Sequence, residues 1–210
     1  MLVVTYLAYF AEILPISFYL IFLKRNRGEG LWVIFLYCVL SLLTEGLFVL
    51  IQQQLVFSGF IIVQFGLFSY YFYSTFRQKN FRYIALLGSA VFCVVAIANF
   101  SNERFTWIAE SLTSILVIIY CILSLYEQIK DPETVFVYRN KKFWVTIALF
   151  IYFSSTLFLY LFSTTLSREQ RHMYWAINNF FEILKNILFS VSFIMIKDRS
   201  TPATMEYIDN

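Results

Sequence analysis

The sequence predicts an all-α, seven-helix transmembrane bundle, and three observations carry that expectation. Hydrophobic residues make up 60% of the 210-residue chain and charged residues only 14%, whereas an ordinary soluble domain is roughly a quarter charged. The apolar residues fall in runs of about 20, the length that crosses a ~30 Å hydrocarbon core as helix. Lys and Arg gather on alternate connections, which is the bias that orients a polytopic protein.

The runs lie at 2–23, 31–51, 55–76, 81–100, 106–126, 143–163 and 173–196. The breaks between them are short and polar: Lys24 to Gly30, Gln52 to Gln54, Arg77 to Asn80, Ser101 to Arg104, Gln128 to Lys142 and Ser167 to His172. Connections this short make successive helices antiparallel neighbours. One membrane domain therefore fills residues 1–196, and 197–210 form a short tail. With six Gly and three Pro, no stretch reads as a flexible linker. Span 1 has no basic segment before it and no small-residue cleavage site after it, so it reads as a retained span rather than a signal peptide.

Placing the N-terminus outside and the C-terminus in the cytoplasm puts 12 basic residues inside: Lys24, Arg25, Arg27, Arg77, Lys79, Arg82, Lys130, Arg139, Lys141, Lys142, Lys197 and Arg199. Three fall outside (Arg104, Arg168 and Arg171), and Lys185 falls within the membrane. Phe (25) and Tyr (15) are abundant, as lipid-facing surfaces and interfacial belts require. The bilayer is the expected surroundings, and no nucleic-acid partner is expected.

Cys38, Cys93 and Cys121 sit singly inside apolar runs and form no CxxC pair, so they predict neither disulfides nor a zinc site. No cofactor or metal is read from any motif. Intramembrane proteolysis needs a serine dyad, paired aspartates or a HExxH helix. The chain has one histidine, His172, in an outer break, and no aspartate in any run. It reads as a non-enzyme.

Ionisable side chains at membrane depth are costly and normally face the bundle interior with a partner. There are five: Glu12 in span 1, Glu45 in span 2, Glu110 in span 5, and Glu182 with Lys185 in span 7. At ~1.5 Å rise per residue, Glu110 lies about 6 Å from the outer end, Glu45 about 9 Å, and Glu12 and Glu182 about 14 Å, with Lys185 near the midplane. In span 7, Asn178, Glu182, Lys185, Asn186 and Ser190 recur at spacings of three and four, which stacks them on one face and lets Glu182 pair with Lys185. Span 1 adds Tyr9 with Glu12, span 2 adds Tyr37 and Ser41 with Glu45, span 3 adds Gln64, and span 5 adds Thr113 and Ser114 with Glu110. These stripes predict an outward-facing ligand or ion cavity built from Glu12, Glu45, Gln64, Glu110, Asn178, Glu182, Lys185 and Asn186. The competing reading is that a buried Glu–Lys pair with Asn neighbours only specifies which helices touch. Towards the cytoplasm, from Pro15 to Leu23, Leu31 to Leu40, Leu67 to Phe76 and Ile187 to Ile196, the polar side chains are only Ser, Thr, Tyr and Cys, so the pocket reads as blind. Pro15, one turn after Glu12, predicts a kink in span 1.

Spans 1–3 and 5–7 share faint matches. Ala11-Glu12-x-Leu14 matches Ala109-Glu110-x-Leu112, Trp32-Val33 with Thr44 matches Trp144-Val145 with Thr156, and Gln64 with Leu67-Phe68-Ser69 matches Lys185 with Leu188-Phe189-Ser190. They predict a 3+1+3 parallel repeat. The arrangement resembles a broad seven-helix group that includes sugar-transporting SWEET proteins, nicotinamide riboside transporters and microbial rhodopsins. The Pro-Gln motifs of the PQ-loop members are absent. Lys185 stands mid-span 7, as the retinal lysine of rhodopsins does, but only Gln64 stands as a polar centre in span 3, where their acidic counter-ion would fall. No family follows from the residues.

The first functional expectation is a sensor or receptor-like module that acts through a cytoplasmic partner on the 128–142 loop. The second is a small-solute transporter whose neutral substrate follows Tyr19, Tyr70, Tyr71, Tyr73 and Tyr120. The third is a structural membrane subunit held by the Glu182–Lys185 pair.

Overall fold

A computed structural model of the chain describes residues 2–26, 30–51, 54–100, 105–130, 137–162 and 168–195. Among them are eight α-helices, one 3-10 turn and no strand. In chain order the helices are α1 (Leu2–Ile21), α2 (Leu23–Asn26), α3 (Leu31–Ile51), α4 (Gln54–Thr75), α5 (Lys79–Asn99), α6 (Phe105–Lys130), α7 (Lys141–Phe162) and α8 (Arg168–Ile194), with the 3-10 turn at Val137–Arg139. Each apolar run lies within or nearly within one long helix. That is the expected outcome for stretches rich in Leu, Ile and Phe that hold so few Gly and Pro.

Four helices are long and apolar enough to cross a membrane by length and composition: Val56–Thr75, Lys79–Asn99, Phe105–Lys130 and Lys141–Leu161. α1 and α3 contain shorter apolar stretches, Leu7–Ile21 and Leu31–Leu47. α8 falls outside both groups; Asn178, Asn179, Glu182, Lys185 and Asn186 dilute the apolar character of its described part. Large apolar side chains point away from the protein along these helices; Phe10 is 67% exposed, Leu87 67% and Ile97 80%. Apolar surface this continuous is a liability in water and a requirement in lipid.

The long helices pack as a closed circuit: α1 on α3, α3 on α4, α4 on α5, α5 on α6, α6 on α7, α7 on α8, and α8 back on α1, with α4 also touching α6. Aromatic rings fill the interior. Tyr19 stacks on Phe35 with centroids 4.4 Å apart, Tyr37 lies 4.6 Å from Phe68, and Phe68 meets Phe153 edge-on at 5.5 Å. Such pairs add about 0.5–1.5 kcal/mol each beyond area burial. α1 continues through Pro15, which is buried, to Ile21. Gly30 adopts φ +72°, a left-handed turn that favours glycine, immediately before α3 begins.

Two connections differ from expectation. Residues 128–130 extend α6, with Gln128 buried, and Lys141 and Lys142 open α7. The 128–142 loop therefore shrinks to the stretch around the 3-10 turn, with 131–136 outside the described residues. Asn140 caps α7 by accepting the amide of Lys142 at 3.0 Å, and Trp144 Nε1 donates to the carbonyl of Tyr138 at 2.7 Å. At the other end, the break read at 167–172 is helical from Arg168, so the backbone of His172 belongs to α8. The 197–210 tail lies outside the described residues.

Candidate polar site on three helices

The stripe Tyr37, Ser41 and Glu45 on α3 meets α1 and α8, and spacing by four puts all three on one face. Ser41 Oγ donates to Glu12 Oε1 of α1 at 2.7 Å. Tyr37 receives the ammonium of Lys185 of α8, with Nζ 2.8 Å from the phenol oxygen. Lys185 Nζ also lies 3.1 Å from Glu182 Oε1, the i, i+3 pair that the spacing allows. Glu45 completes the group. One carboxylate oxygen from each of Glu12, Glu45 and Glu182 lies within 4.8 Å of the other two.

Lys185 is the centre of the site and is only 1% exposed. Its ammonium lies 4.3 Å from the ring centroid of Tyr152 and 5.0 Å from that of Tyr37. Aromatic faces, a phenol and a carboxylate thus share one buried cation, the combination that makes burial of an ammonium tolerable. Glu12 is buried, while Glu45 and Glu182 are half-buried. Access to the cluster therefore runs past Glu45 and Glu182. Aromatic rings pack towards the far end of α8; Tyr19 meets Phe193 at 5.1 Å and Tyr37 meets Phe189 at 6.3 Å.

The structure brings together four of the eight sequence-predicted residues, Glu12, Glu45, Glu182 and Lys185. Asn186 is buried beside Lys185; its carbonyl accepts Ser190 Oγ at 2.8 Å, and its side-chain nitrogen is buried without a hydrogen-bond partner. Glu110 is buried on α6 and feels Lys185 and Glu182 electrostatically, but makes no hydrogen bond to the cluster. The neighbouring hydroxyls of Thr113 and Ser114 are buried without partners. Gln64 is buried on α4, and Asn178 is half-buried one turn before Glu182; neither bonds to the carboxylates. Tyr9, expected beside Glu12, is exposed.

A second polar cluster was not read from the sequence. It joins α2, the start of α7 and the end of α8. Lys141 Nζ donates to Asn26 Oδ1 at 3.0 Å, Asn26 Nδ2 donates to the Phe193 carbonyl at 3.2 Å, and Ser192 Oγ donates to the Lys141 carbonyl at 3.1 Å. Arg25 donates to the carbonyls of Phe193 and Ile194. The last carbonyls of a helix lack intrahelical partners and carry partial negative charge, so a guanidinium and an amide there satisfy both needs. Lys141 and Lys142 open α7, where the helix dipole opposes a cation. That placement was the signal in the sequence that at least one of them must find acceptors elsewhere.

A groove of about 950 Å³ lies away from both clusters, between α4 and α5, and Tyr70, Tyr73, Leu86 and Ile97 are among its lining residues. The tyrosines expected to share a path are dispersed. Tyr70 and Tyr73 face this groove, Tyr19 and Tyr71 are buried, and Tyr120 is buried with its hydroxyl donating to the Ala85 carbonyl at 3.2 Å. Comparison of the chain with protein families, with curated proteins and with solved structures finds no match.

Proposed function

We propose that this is a seven-span membrane protein, N-terminus outside and C-terminus in the cytoplasm. It binds a small ligand or ion in an outward-facing polar site and reports occupancy to a cytoplasmic partner, without catalysing a reaction. The observation that carries this reading is the convergence of Glu12, Glu45, Glu182 and Lys185, from three helices, above a layer of aromatic rings. Packing alone would need one pair; three carboxylates around one ammonium leave negative charge that only a ligand, an ion or protons balance.

The orientation is supported by where the basic segments sit. Hydrogen bonds tie Arg25 and Asn26 to the end of α8 and to Lys141. Glu127 of α6 accepts the amides of Arg77 and Gln78 at 2.9 and 2.7 Å. The basic connections thus gather at one end of the circuit, as the inner face of an N-out protein requires. The route to a partner follows α8. The helix that carries Glu182 and Lys185 ends in the cluster that holds the first residue of α7, next to the 128–142 segment.

The circuit also supports a 3+1+3 repeat. α1–α3 corresponds to α6–α7, α3–α4 to α7–α8, and α1–α8 to α6–α4, with α5 left over. That arrangement favours the transporter alternative, but the aromatic layer and the dispersed tyrosines offer no inward path.

Glu45→Cys in a Cys93→Ser background, probed on intact cells with a membrane-impermeant thiol reagent, tests the reading. Labelling from the outside is expected, and labelling only after the cytoplasmic face is opened would overturn it. Solute uptake by proteoliposomes containing only this chain would replace the sensor with a transporter.

A further inference from the structure

The carboxylate cluster holds buried acceptors without donors. Ser41 takes one oxygen of Glu12, but Oε2 of Glu12 is buried without a hydrogen-bond partner, and the side chain is only 2% exposed. Oε2 of Glu45 is likewise buried and unpartnered. A buried carboxylate oxygen with no donor forfeits its hydration and gains nothing in return. The one ammonium nearby is already shared between Glu182 and Tyr37. A centre that accepts electron pairs from oxygen would offset that cost, and one carboxylate oxygen from each of Glu12, Glu45 and Glu182 lies within 4.8 Å of the other two.

We propose that Glu12, Glu45 and Glu182 hold a single divalent metal cation of the calcium type, which names the ligand class of the outward-facing site and rests on that reading. Three arguments select this class. All the ligands are carboxylate oxygens, the donor set of hard cations and not of zinc or copper. Oxygens within 4.8 Å of one another can converge on one ion, and the flexible shell of calcium accepts three carboxylates from three helices, whereas magnesium demands near-ideal octahedral geometry and resists dehydration. The charges close as well. Ligation deprotonates the carboxylates, so in the bound state three of them at −3 and Lys185 at +1 leave −2, which one divalent ion neutralises and a monovalent ion does not, at a depth where net charge is costly. The half-buried side at Glu45 and Glu182 admits the ion and the waters that complete its shell.

The test uses the full chain in phosphatidylcholine nanodiscs, stripped with EDTA and titrated calorimetrically with CaCl2. One saturable Ca2+ per chain is expected. Mn2+ should compete and report the site by electron paramagnetic resonance, and Mg2+ should bind at least about tenfold more weakly. Glu12→Gln and Glu45→Gln should each lower Ca2+ affinity about tenfold or more, while Glu127→Gln, at the far end of α6, keeps the parental affinity. Because the variants depend on folding, the parent supplies a second measurement. Ca2+ should raise its unfolding temperature where KCl at equal ionic strength does not. Absence of saturable Ca2+ or Mn2+ binding by the parent, or parental affinity in both Gln variants, overturns the proposal. Failure of Ca2+ binding together with outside labelling of Glu45→Cys removes the metal and leaves the outward site standing. Labelling only from the cytoplasmic side removes the site reading whether or not the metal binds.

Discussion

Midway along α8, Glu182 and Lys185 meet Glu12 and Glu45; at its end, the carbonyls of Phe193 and Ile194 meet Arg25, Asn26 and Lys141. The same helix thus carries two buried polar clusters of opposite character. The end cluster is built of donors aimed at acceptors. Both polar atoms of the Asn26 amide are used, and the Lys141 ammonium has an amide oxygen to meet. The middle cluster is rich in carboxylates, with oxygens left over on α1 and α3 that the unused side-chain nitrogen of Asn186 does not reach. The end cluster leaves one donor over, Arg25 Nε, whereas the middle cluster leaves carboxylate oxygens over, and a buried carboxylate short of donors is the costlier deficit at membrane depth. The contrast separates a structural clasp from a site and sets what each should do when broken.

The largest effect should follow Lys185→Met. It removes the one cation among three carboxylates and leaves a buried charge without its partner, a loss of about 3–5 kcal/mol. Thermal unfolding in detergent should show a marked drop, and Lys185→Met combined with Glu182→Gln should recover part of it. If Lys185→Met unfolds like the parent, the middle cluster does not depend on the pair. Asn26→Leu comes next. It strips one acceptor from Lys141, which keeps the Arg25 carbonyl at 3.4 Å, and one of two donors from the Phe193 carbonyl, which keeps Arg25; it should cost about 1–2 kcal/mol while Ca2+ affinity stays parental. A clasp variant that altered cation affinity would erase the distinction between the two regions. Ser41→Ala removes the single hydroxyl that holds Glu12 and should cost about 1–2 kcal/mol. Unlike Asn26→Leu, it should also weaken Ca2+ binding, because it frees the Glu12 carboxylate to turn away.

The two clusters were unequally legible in the sequence. Helix positions followed from apolar length, and the faces followed from spacing: Tyr37-Ser41-Glu45 by fours and Glu182-Lys185 by three are local facts that any helix preserves. Which faces meet is a tertiary fact. Glu12, Glu45, Glu182 and Lys185 lie on helices that touch, whereas Gln64 belongs to α4, which packs on α3, α5 and α6. Depth alone could not sort one from the other. The clasp escaped notice because Arg25 and Lys141 read as ordinary basic connection residues, which usually face the anionic leaflet. Burial of Lys141 depends on Asn26, far away in sequence, and on the end of α8, which no local pattern relates to it.

Glu110→Gln should have the smallest effect and sharpens the comparison most finely. On the proposed repeat, Ala109-Glu110 stands where Ala11-Glu12 stands in the first triplet. At the spacing that aligns Trp32 with Trp144, Ser41 falls on Phe153 and Glu45 falls on Leu157. The second triplet therefore keeps the first carboxylate and lacks the hydroxyl and the second carboxylate that make a site of it. Glu110 has no hydrogen bond for the amide to lose, so the substitution keeps its shape and should change stability by less than about 1 kcal/mol. It removes an attraction to Lys185 and a smaller repulsion from Glu182, two opposed effects that largely offset. Unfolding temperature and Ca2+ titration on the same preparation should show both quantities close to the parent. A loss of Ca2+ affinity as large as that of Glu12→Gln would put Glu110 inside the site. The polar centre would then extend across both triplets, with α6 as a fourth wall.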